Sequence, residues 1–163
     1  MDKLQWIQHK IFSREDLVRE CNGWRVLGKK IVFTNGCFDI LHHGHLDLLA
    51  RAASLGNILI VGINTDESVH RLKGPSRPVT HQQDRAFQVA SLLCTDGVCL
   101  FDEDTPEELI KLVKPDVLVK GGDYTIDKIV GADFVQQQGG EVHIVPFVEG
   151  YSTTSLISRI QKL

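Results

Sequence analysis

The chain has 163 residues, of which 42% are apolar and 24% are charged, and its formal net charge is −3 at pH 7. This length suits one α/β domain with a buried core. The slight acidic excess argues against a nucleic-acid-binding protein, because such proteins usually carry a basic excess. No apolar run approaches a membrane-spanning length, and the residues after Met1 lack the continuous apolar stretch of a secretory signal.

The four cysteines show neither the close paired spacing of a metal site nor a disulfide framework. They therefore predict reduced thiols and a cytoplasmic protein. The expected partners are small molecules, and we expect no nucleic acid and no membrane among them.

The first predicted element is a helix over residues 13–26. It starts at a capping box, in which Ser13 is followed three residues later by Asp16. We expect this helix to lie outside the main sheet, within an N-terminal helical extension over residues 1–28. It could pack on the sheet, mediate dimerisation or cover the site. The core of the same single domain then spans residues 29–163.

From residue 31 onward, apolar runs typical of buried strands alternate with segments of helical periodicity. The predicted strands cover residues 31–34, 58–63, 98–101, 117–119 and 142–145. The predicted helices cover residues 45–55, 84–93, 105–114 and 152–163. This alternation predicts an α/β fold with a Rossmann-like, doubly wound sheet of about five parallel strands and helices on both faces.

In such sheets, ligands bind beyond the carboxyl ends of the strands. Four segments with chemically useful side chains occupy those places, namely residues 34–45, 64–77, 120–124 and 150–155. We expect them to converge on one crevice, and the agreement of four segments supports a site better than any single motif does.

The most informative motif is an H-x-G-H element made by His42, Gly44 and His45, where a helix begins after a glycine-containing turn. A helix N-terminus attracts anions, since its free N–H groups and the helix dipole point at one place. The histidines add further donors, and Gly36 and Gly44 allow a phosphate to approach the backbone closely. The motif therefore predicts a site that handles the phosphates of a nucleotide.

Two other interpretations of these histidines stay open. They could only cap the helix, or they could join Cys37 and Asp39 in a zinc site. The ligand spacing is unlike that of common zinc sites, so we predict no permanent metal. His43 is interpreted as outward-facing or structural.

Three further segments carry candidate ligand-binding groups. A basic loop predicted over residues 71–78 offers Lys73 and Arg77 as a cationic clamp on a triphosphate or phosphorylated substrate, and a solvated, rigid turn is the alternative. The hydroxyl run over 152–155 opens the last predicted helix and suits anion binding better than simple capping, which needs one hydroxyl. Asp123, beside two glycines, is a candidate for holding substrate hydroxyls, or it belongs to a plain turn.

Two common nucleotide-binding motifs are absent from the sequence. There is no G-x-x-x-x-G-K-[ST] P-loop, and no G-x-G-x-x-G follows the first predicted strand. These absences exclude an ordinary P-loop NTPase and a typical dinucleotide-dependent dehydrogenase.

Together these motifs resemble the cytidylyltransferase-like nucleotidyltransferase superfamily, whose signature is an H-x-G-H element with a late S-T-T helix start. The chain is further similar to D-glycero-β-D-manno-heptose 1-phosphate adenylyltransferases, as the second domain of a bifunctional kinase/adenylyltransferase or as its stand-alone form. The closer similarity is carried by K-G-G-D-Y at 120–124, I-V-G-A-D at 129–133, R-L-K-G-P-S-R-P-V at 71–79, F-D-E-D-T-P at 101–106 and G-Y-S-T-T-S-L-I at 150–157.

One departure from the superfamily is informative. Glycerol- and choline-phosphate cytidylyltransferases resemble R-T-x-G-I-S-T-T at the last helix, whereas this chain has F-V-E-G-Y-S-T-T at residues 147–154. The missing arginine weakens a cytidylyltransferase interpretation.

The resemblance implies an enzyme that transfers AMP from ATP to D-glycero-β-D-manno-heptose 1-phosphate, giving ADP-heptose and pyrophosphate, with Mg²⁺ entering together with ATP. It implies that His42, His45 and Lys73 are catalytic. The implied nucleotide-binding residues are Thr34, Asn35, Gly36, Phe38, Gly44, Gly121, Tyr151, Ser152, Thr153 and Thr154. The implied substrate-binding residues are Asp39, Arg77 and Asp123.

The resemblance also suggests a homodimer, a separate heptose kinase that supplies the sugar phosphate, and a product used for lipopolysaccharide. Two other functions stay open. One is another sugar- or polyol-phosphate nucleotidyltransferase, such as glycerol-3-phosphate cytidylyltransferase. The other is a nucleotide-sensing protein that keeps the fold without turnover.

Overall fold

The centre of the fold is a parallel sheet, which has six strands in the computed structural model of residues 2–163. The strands are β1 (Ile11–Phe12), β2 (Ile31–Gly36), β3 (Ile58–Asn64), β4 (Gly97–Phe101), β5 (Val117–Gly121) and β6 (Glu141–Val145). Their order is β1-β4-β3-β2-β5-β6, so the sheet grows from β2 in both directions. The predicted doubly wound α/β fold is confirmed.

Eight α-helices accompany the sheet within residues 2–163, together with one short 3₁₀ helix at Ile126–Lys128. The helices are α1 (Lys3–Gln8), α2 (Arg14–Val26), α3 (His43–Ala53), α4 (Asp66–Lys73), α5 (Gln82–Ala90), α6 (Glu107–Val113), α7 (Ala132–Gln137) and α8 (Thr153–Ile160). None of the helices in this part of the chain is both long and apolar enough to cross a membrane.

The residues before β2 belong to the sheet more closely than the sequence predicts. β1 pairs with β4 through Ile11 and Phe12, and this short edge strand raises the number of strands from the predicted five to six. α2 begins after Ser13, as predicted, and its Leu17 and Cys21 are fully buried against one face of the sheet. The helix therefore lies outside the sheet, as predicted, and of the open roles the structure shows packing on a sheet face.

The helix α4 corrects the predicted basic loop over residues 71–78. It ends at Lys73, so only the residues after Lys73 form a loop. Thr65 caps the helix, because its hydroxyl accepts a hydrogen bond of 3.2 Å from the backbone N–H of Ser68. Acidic residues in the first turn and basic residues in the last turn suit the helix dipole, and Gly74, with φ of +94°, ends the helix.

Two other predicted helices differ in detail from the structure. The helix predicted to start at Thr105 begins at Glu107, because Pro106 occupies the capping position. In α8, Leu156 and Ile157 are half-buried, whereas Ile160 and Leu163 at the end of the predicted helix are exposed. The sequence predicts that all four apolar side chains face inward, and the structure shows this only for the first two.

Two hydrophobic layers cover the two faces of the sheet. Along β2, Ile31 and Phe33 enter one layer and Val32 enters the other, because successive side chains of a strand point to opposite faces. β3 is buried on both faces, as its apolar run predicts. The segments that leave the carboxyl ends of these strands therefore start from a rigid base.

Candidate active site

A cavity of about 830 Å³ lies where β2, β3, β5 and β6 end. All four segments that the sequence predicts to converge contribute to its wall. The predicted site residues that line the cavity are Asn35, Gly36, Phe38, Asp39, His42, Gly44, His45, Lys73, Arg77, Gly121, Tyr151, Ser152, Thr153 and Thr154. Two predicted residues do not line it, since Thr34 is fully buried within β2 and Asp123 is exposed elsewhere.

The two histidines of the H-x-G-H element stack on each other at the start of α3. Their ring centroids are 3.8 Å apart and the ring planes are inclined by 21°. Gly44 permits this arrangement, because a Cβ atom there would lie 3.2 Å from the His42 ring and 3.4 Å from Cβ of Tyr151. The ring of Phe38 meets His45 edge-on at 5.2 Å. The pair is therefore held in place by packing on both sides.

The environment of the pair keeps both imidazoles neutral. Burial lowers the pKa of His42, and burial together with the neighbouring His42 lowers the pKa of His45 to about 4. The Nδ1 atoms of both rings are buried and have no hydrogen-bond partner among residues 2–163. A phosphate bound beside the pair would raise both pKa values, since an anion favours the protonated imidazole, and each protonated ring would have an N–H group to donate to it.

Two lysines face the same cavity from different elements. Lys73 lies at the end of α4, and Lys120 lies near the end of β5. Burial lowers the pKa of Lys120, and the nearby Lys73 acts in the same direction. Neither ammonium forms a salt bridge within the described part of the chain. Two cations without acidic partners make the cavity suitable for a polyanion.

Lys120 is not among the site residues predicted from the sequence. One feature of the sequence indicates a role in binding. Lys120 is a cationic residue directly after the apolar run 117–119, at the end of a strand where ligands of this fold bind. Because a lysine at a strand end is usually solvated, only the burial of its side chain reveals that it faces the cavity.

Asp39 and Arg77, two of the predicted substrate-binding residues, bind each other. Nε of Arg77 donates to Oδ2 of Asp39 at 2.5 Å, and Asp39 is only 1% exposed. Its Oδ1 atom accepts backbone N–H groups from Val79 at 2.8 Å and Thr80 at 2.9 Å. Substrate hydroxyls would have to displace these donors, so the geometry favours a role in holding the loop after α4.

The start of α8 closes another side of the cavity. The Ser152 hydroxyl accepts the backbone N–H of Ser155 at 3.0 Å, which is the simple capping bond considered for this run. Thr153 and Thr154 also line the cavity at the helix N-terminus. The helix therefore presents hydroxyls and backbone donors to the space that the histidines and lysines also face.

Two aromatic residues that are not among the predicted site residues, Tyr124 and Phe147, also line the cavity. Gly122 has φ of +125°, and a Cβ atom there would lie 2.9 Å from the Phe147 ring and 3.0 Å from the Tyr124 ring. Both rings are substantially exposed. Each follows the end of a strand, β5 or β6, which is the only sequence signal for their position.

A family model for cytidylyltransferase-like proteins matches residues 33–159. The chain belongs to the cytidylyltransferase-like family. The matched range contains the H-x-G-H element, α4 with Lys73, the end of β5 and nearly all of α8. The resemblance drawn from the sequence is confirmed.

Curated relatives of this cytidylyltransferase-like chain carry the name Bifunctional protein HldE. The proteins from Trichlorobacter lovleyi and Caulobacter vibrioides are 52% and 55% identical to it over 151 residues, and that of Wolinella succinogenes is 50% identical over 154 residues. These matches cover 93–94% of the chain but only 31–32% of each relative. The chain thus spans about a third of the length of these relatives.

A solved structure supports the same fold. The lipopolysaccharide core biosynthesis protein from Thermoplasma volcanium superposes with a TM-score of 0.60 at 30% sequence identity. The superposition covers 77% of this chain and all of the other chain.

The cytidylyltransferase-like site offers no protein cage for a metal ion. Residues 2–163 contain no group of three or more histidine, cysteine, aspartate or glutamate side chains placed to hold one. Three carboxylates line the cavity: Asp39 is held by Arg77, Asp104 is held by Arg71 at 2.8 Å, and Glu149 is a single exposed side chain on another side. The residues present therefore suit a cation that enters bound to phosphate oxygens.

Proposed function

We propose that the chain transfers AMP from ATP to D-glycero-β-D-manno-heptose 1-phosphate, forming ADP-heptose and releasing pyrophosphate. Membership of the cytidylyltransferase-like family and about 50% identity to bifunctional HldE proteins support this function. The observation that carries it is one cavity surrounded by a stacked histidine pair, two lysines and a helix N-terminus. Such a set of donors matches a triphosphate and a phosphorylated acceptor together.

The proposed chemistry needs no general base. The acceptor phosphate is already anionic near neutral pH, so one of its oxygens attacks the α-phosphorus of ATP directly. An O–P bond forms there as the bond between the α-phosphorus and the bridging oxygen breaks, and pyrophosphate leaves with the electron pair. Catalysis then consists of in-line positioning and neutralisation of negative charge.

Each side of the cavity has its part in this mechanism. His42 and His45 would donate N–H groups to the α-phosphate and to the departing pyrophosphate. Thr153 and Thr154, at the start of α8, would bind the β- and γ-phosphates. Lys73 would bridge the nucleotide and the acceptor phosphate. Mg²⁺ entering with ATP would neutralise further charge on the terminal phosphates and keep most of its water ligands.

Lys120 extends this assignment. Its ammonium is partly desolvated and lies 5.8 Å from the Tyr124 ring centre, on the side of the cavity formed by β5. A desolvated cation interacts more strongly with an anion than a solvated one does. We therefore place Lys120 among the groups that bind the anionic substrates.

Pyrophosphate release with Mg²⁺ and D-glycero-β-D-manno-heptose 1-phosphate tests the proposal, with ATP, CTP and GTP in parallel reactions. The expected result is release with ATP alone. Release only with CTP or GTP would support the same mechanism with a different nucleotide as the substrate. ATP binding without release from any nucleotide would instead support the nucleotide-sensing protein.

A homodimer and a cytoplasmic location go with this proposal. Their support is the family resemblance and not a contact in the structure. Light scattering of the purified protein tests the dimer, and a measured mass of one chain would contradict it.

A further inference from the structure

A fully buried arginine lies behind the cavity wall and not in it. Arg85, on α5, has no exposed surface. Its Nε donates to the carbonyl oxygen of Thr80 at 2.9 Å, its Nη1 to the carbonyl oxygen of Cys37 at 2.6 Å, and its Nη2 to Oδ1 of Asp66 at 2.8 Å. One guanidinium thus joins three segments that are far apart in the sequence.

The ion pair of Asp39 and Arg77 joins two of the same segments again. Asp39 lies two residues after Cys37, and it binds the side chain of Arg77 and the backbone of residues 79 and 80. We call Asp39, Asp66, Arg77 and Arg85 the ionic tether. It links the turn before His42, the first residue of α4, and the loop that follows Lys73.

Stability alone does not account for this set of charges, of which Asp39 and Arg85 are buried and the other two partly buried. Removing two charges from water costs about as much as their attraction returns, so buried ion pairs contribute little net stability. What they fix is geometry, because each bond of the guanidinium fork has a defined direction. Here the fixed quantity is the position of α4, which ends in Lys73, relative to the turn that carries the histidine pair.

We propose that Arg85 is a positioning residue, which holds Lys73 and the His42–His45 pair at the separation that lets them act on the same phosphates. The expected effect of Arg85 on kcat rests on the proposed function, nucleotidyl transfer. The tether itself is a property of the protein without substrate, and it can be tested separately.

The variant Arg85→Lys keeps the charge and removes the three-armed fork. Arg25→Lys is its matched control, because Arg25 also donates to backbone carbonyls, those of Val113 and Lys114, but far from the cavity. Hydrogen–deuterium exchange should show faster exchange of the amides in residues 74–81 for Arg85→Lys only. Unchanged exchange in this segment would overturn the tether, whatever the substrate of the protein is.

A double-mutant cycle with Lys73→Ala then tests action through Lys73. In the wild-type background, Arg85→Lys should lower kcat about 100-fold, the loss that a misplacement of about 1 Å produces, while KM for ATP changes much less. In the Lys73→Ala background, Arg85→Lys should cause little further loss. Equal losses in both backgrounds would show that Arg85 acts independently of Lys73 and would overturn the proposal.

Two controls keep the outcomes distinct. If the wild-type protein releases no pyrophosphate with any nucleotide, the proposed function fails, while the exchange experiment still decides on the tether. If Arg85→Lys does not fold, Asp39→Asn replaces it, since this variant keeps the shape of the side chain and removes its charge. The same faster exchange over 74–81 is then expected, and its absence would count against the tether.

Discussion

The two sides of the cavity are built differently. One side, residues 37–45 with the end of α4 and the loop after it, is fixed by the ionic tether and by ring stacking. Asp39 on this side and Arg85 behind it are buried. The other side, residues 146–154, carries Phe147 and Tyr151 with 67% and 50% of their surface exposed. We infer that the fixed side sets the geometry of the reaction, whereas the open side admits and holds substrates.

The largest loss of kcat should come from a substitution on the fixed side of the cavity. Removing one phosphate donor by His45→Ala should cost about 3–4 kcal/mol of transition-state stabilisation, or a loss of about 10²–10³ in kcat. Steady-state pyrophosphate release measures it. His43→Ala is the matched control, because His43 is exposed and its ring lies outside the stacked pair, with its centroid 5.0 Å from that of Tyr151. A His45→Ala enzyme with nearly normal kcat would remove the histidine pair from the mechanism.

The next largest loss of activity should come from substituting Lys120, which lies between the two sides. In Lys120→Met the apolar stem stays and the charge goes, so kcat/KM should fall about 10–100-fold, which corresponds to a charged hydrogen bond of about 1.5–3 kcal/mol. The melting temperature should stay the same or rise, because the cation removed is half-buried and has no ion-pair partner in the described part of the chain. Lys111→Met on the surface of α6 is the control. Unchanged kcat/KM would leave Lys120 without a role.

The fixed side should also show a proton-linked stability. His45 has a pKa of about 4 in the folded protein, against about 6.5 when unfolded, so the unfolded chain binds more protons between these pH values. The free energy of unfolding should therefore fall as the pH is lowered from 6.5 to 4, by at most about 1.4 kcal/mol per pH unit from this group. Urea unfolding at several pH values measures this slope. His45→Gln should flatten it, and identical slopes for both proteins would contradict the assignment.

The smallest change in the kinetic constants should come from a substitution on the open side of the cavity. Phe147→Ala removes an exposed ring that is suited to contact a base or sugar, and such contacts contribute about 0.5–1.5 kcal/mol. KM should rise about 2–10-fold while kcat stays nearly constant, because the ring binds substrate and transition state alike. Leu93→Ala, exposed far from the cavity lining, should change neither constant. A loss of kcat without a change in KM for Phe147→Ala would contradict the proposed difference between the two sides.

The parts of this structure that the sequence predicts are those governed by local patterns. Apolar runs predict the five long strands, and the positions after them predict which segments meet at the cavity. β1 is not predicted, because Ile11 and Phe12 are too few residues to show a strand period. α4 is hidden for another reason: Gly74 and two prolines close to Lys73 suggest a loop, and the cap at Thr65 lies outside the stretch that suggests it.

The ionic tether is not predicted because its partners are distant in the chain. Asp39 and Arg77 are separated by 38 residues, and Arg85 reaches a carbonyl 48 residues away. In the sequence, Asp39 lies beside a phosphate motif and Arg77 in a basic segment, so both are interpreted as substrate binders. Only the folded arrangement shows that these two charges satisfy each other.

The short strand β1 has a consequence for how the molecule meets other molecules. It covers the outer edge of β4, and the bond of 2.7 Å from the Val98 N–H to the Lys10 carbonyl extends this cover. Lys10 fastens the segment, since its ammonium donates to the Thr95 carbonyl at 2.8 Å and lies 3.7 Å from the Trp6 ring centre. An uncovered apolar strand such as β4 would be a template for edge-to-edge aggregation. Ile11, Phe12 and Lys10 thus protect the edge of β4 against pairing with strands of other molecules.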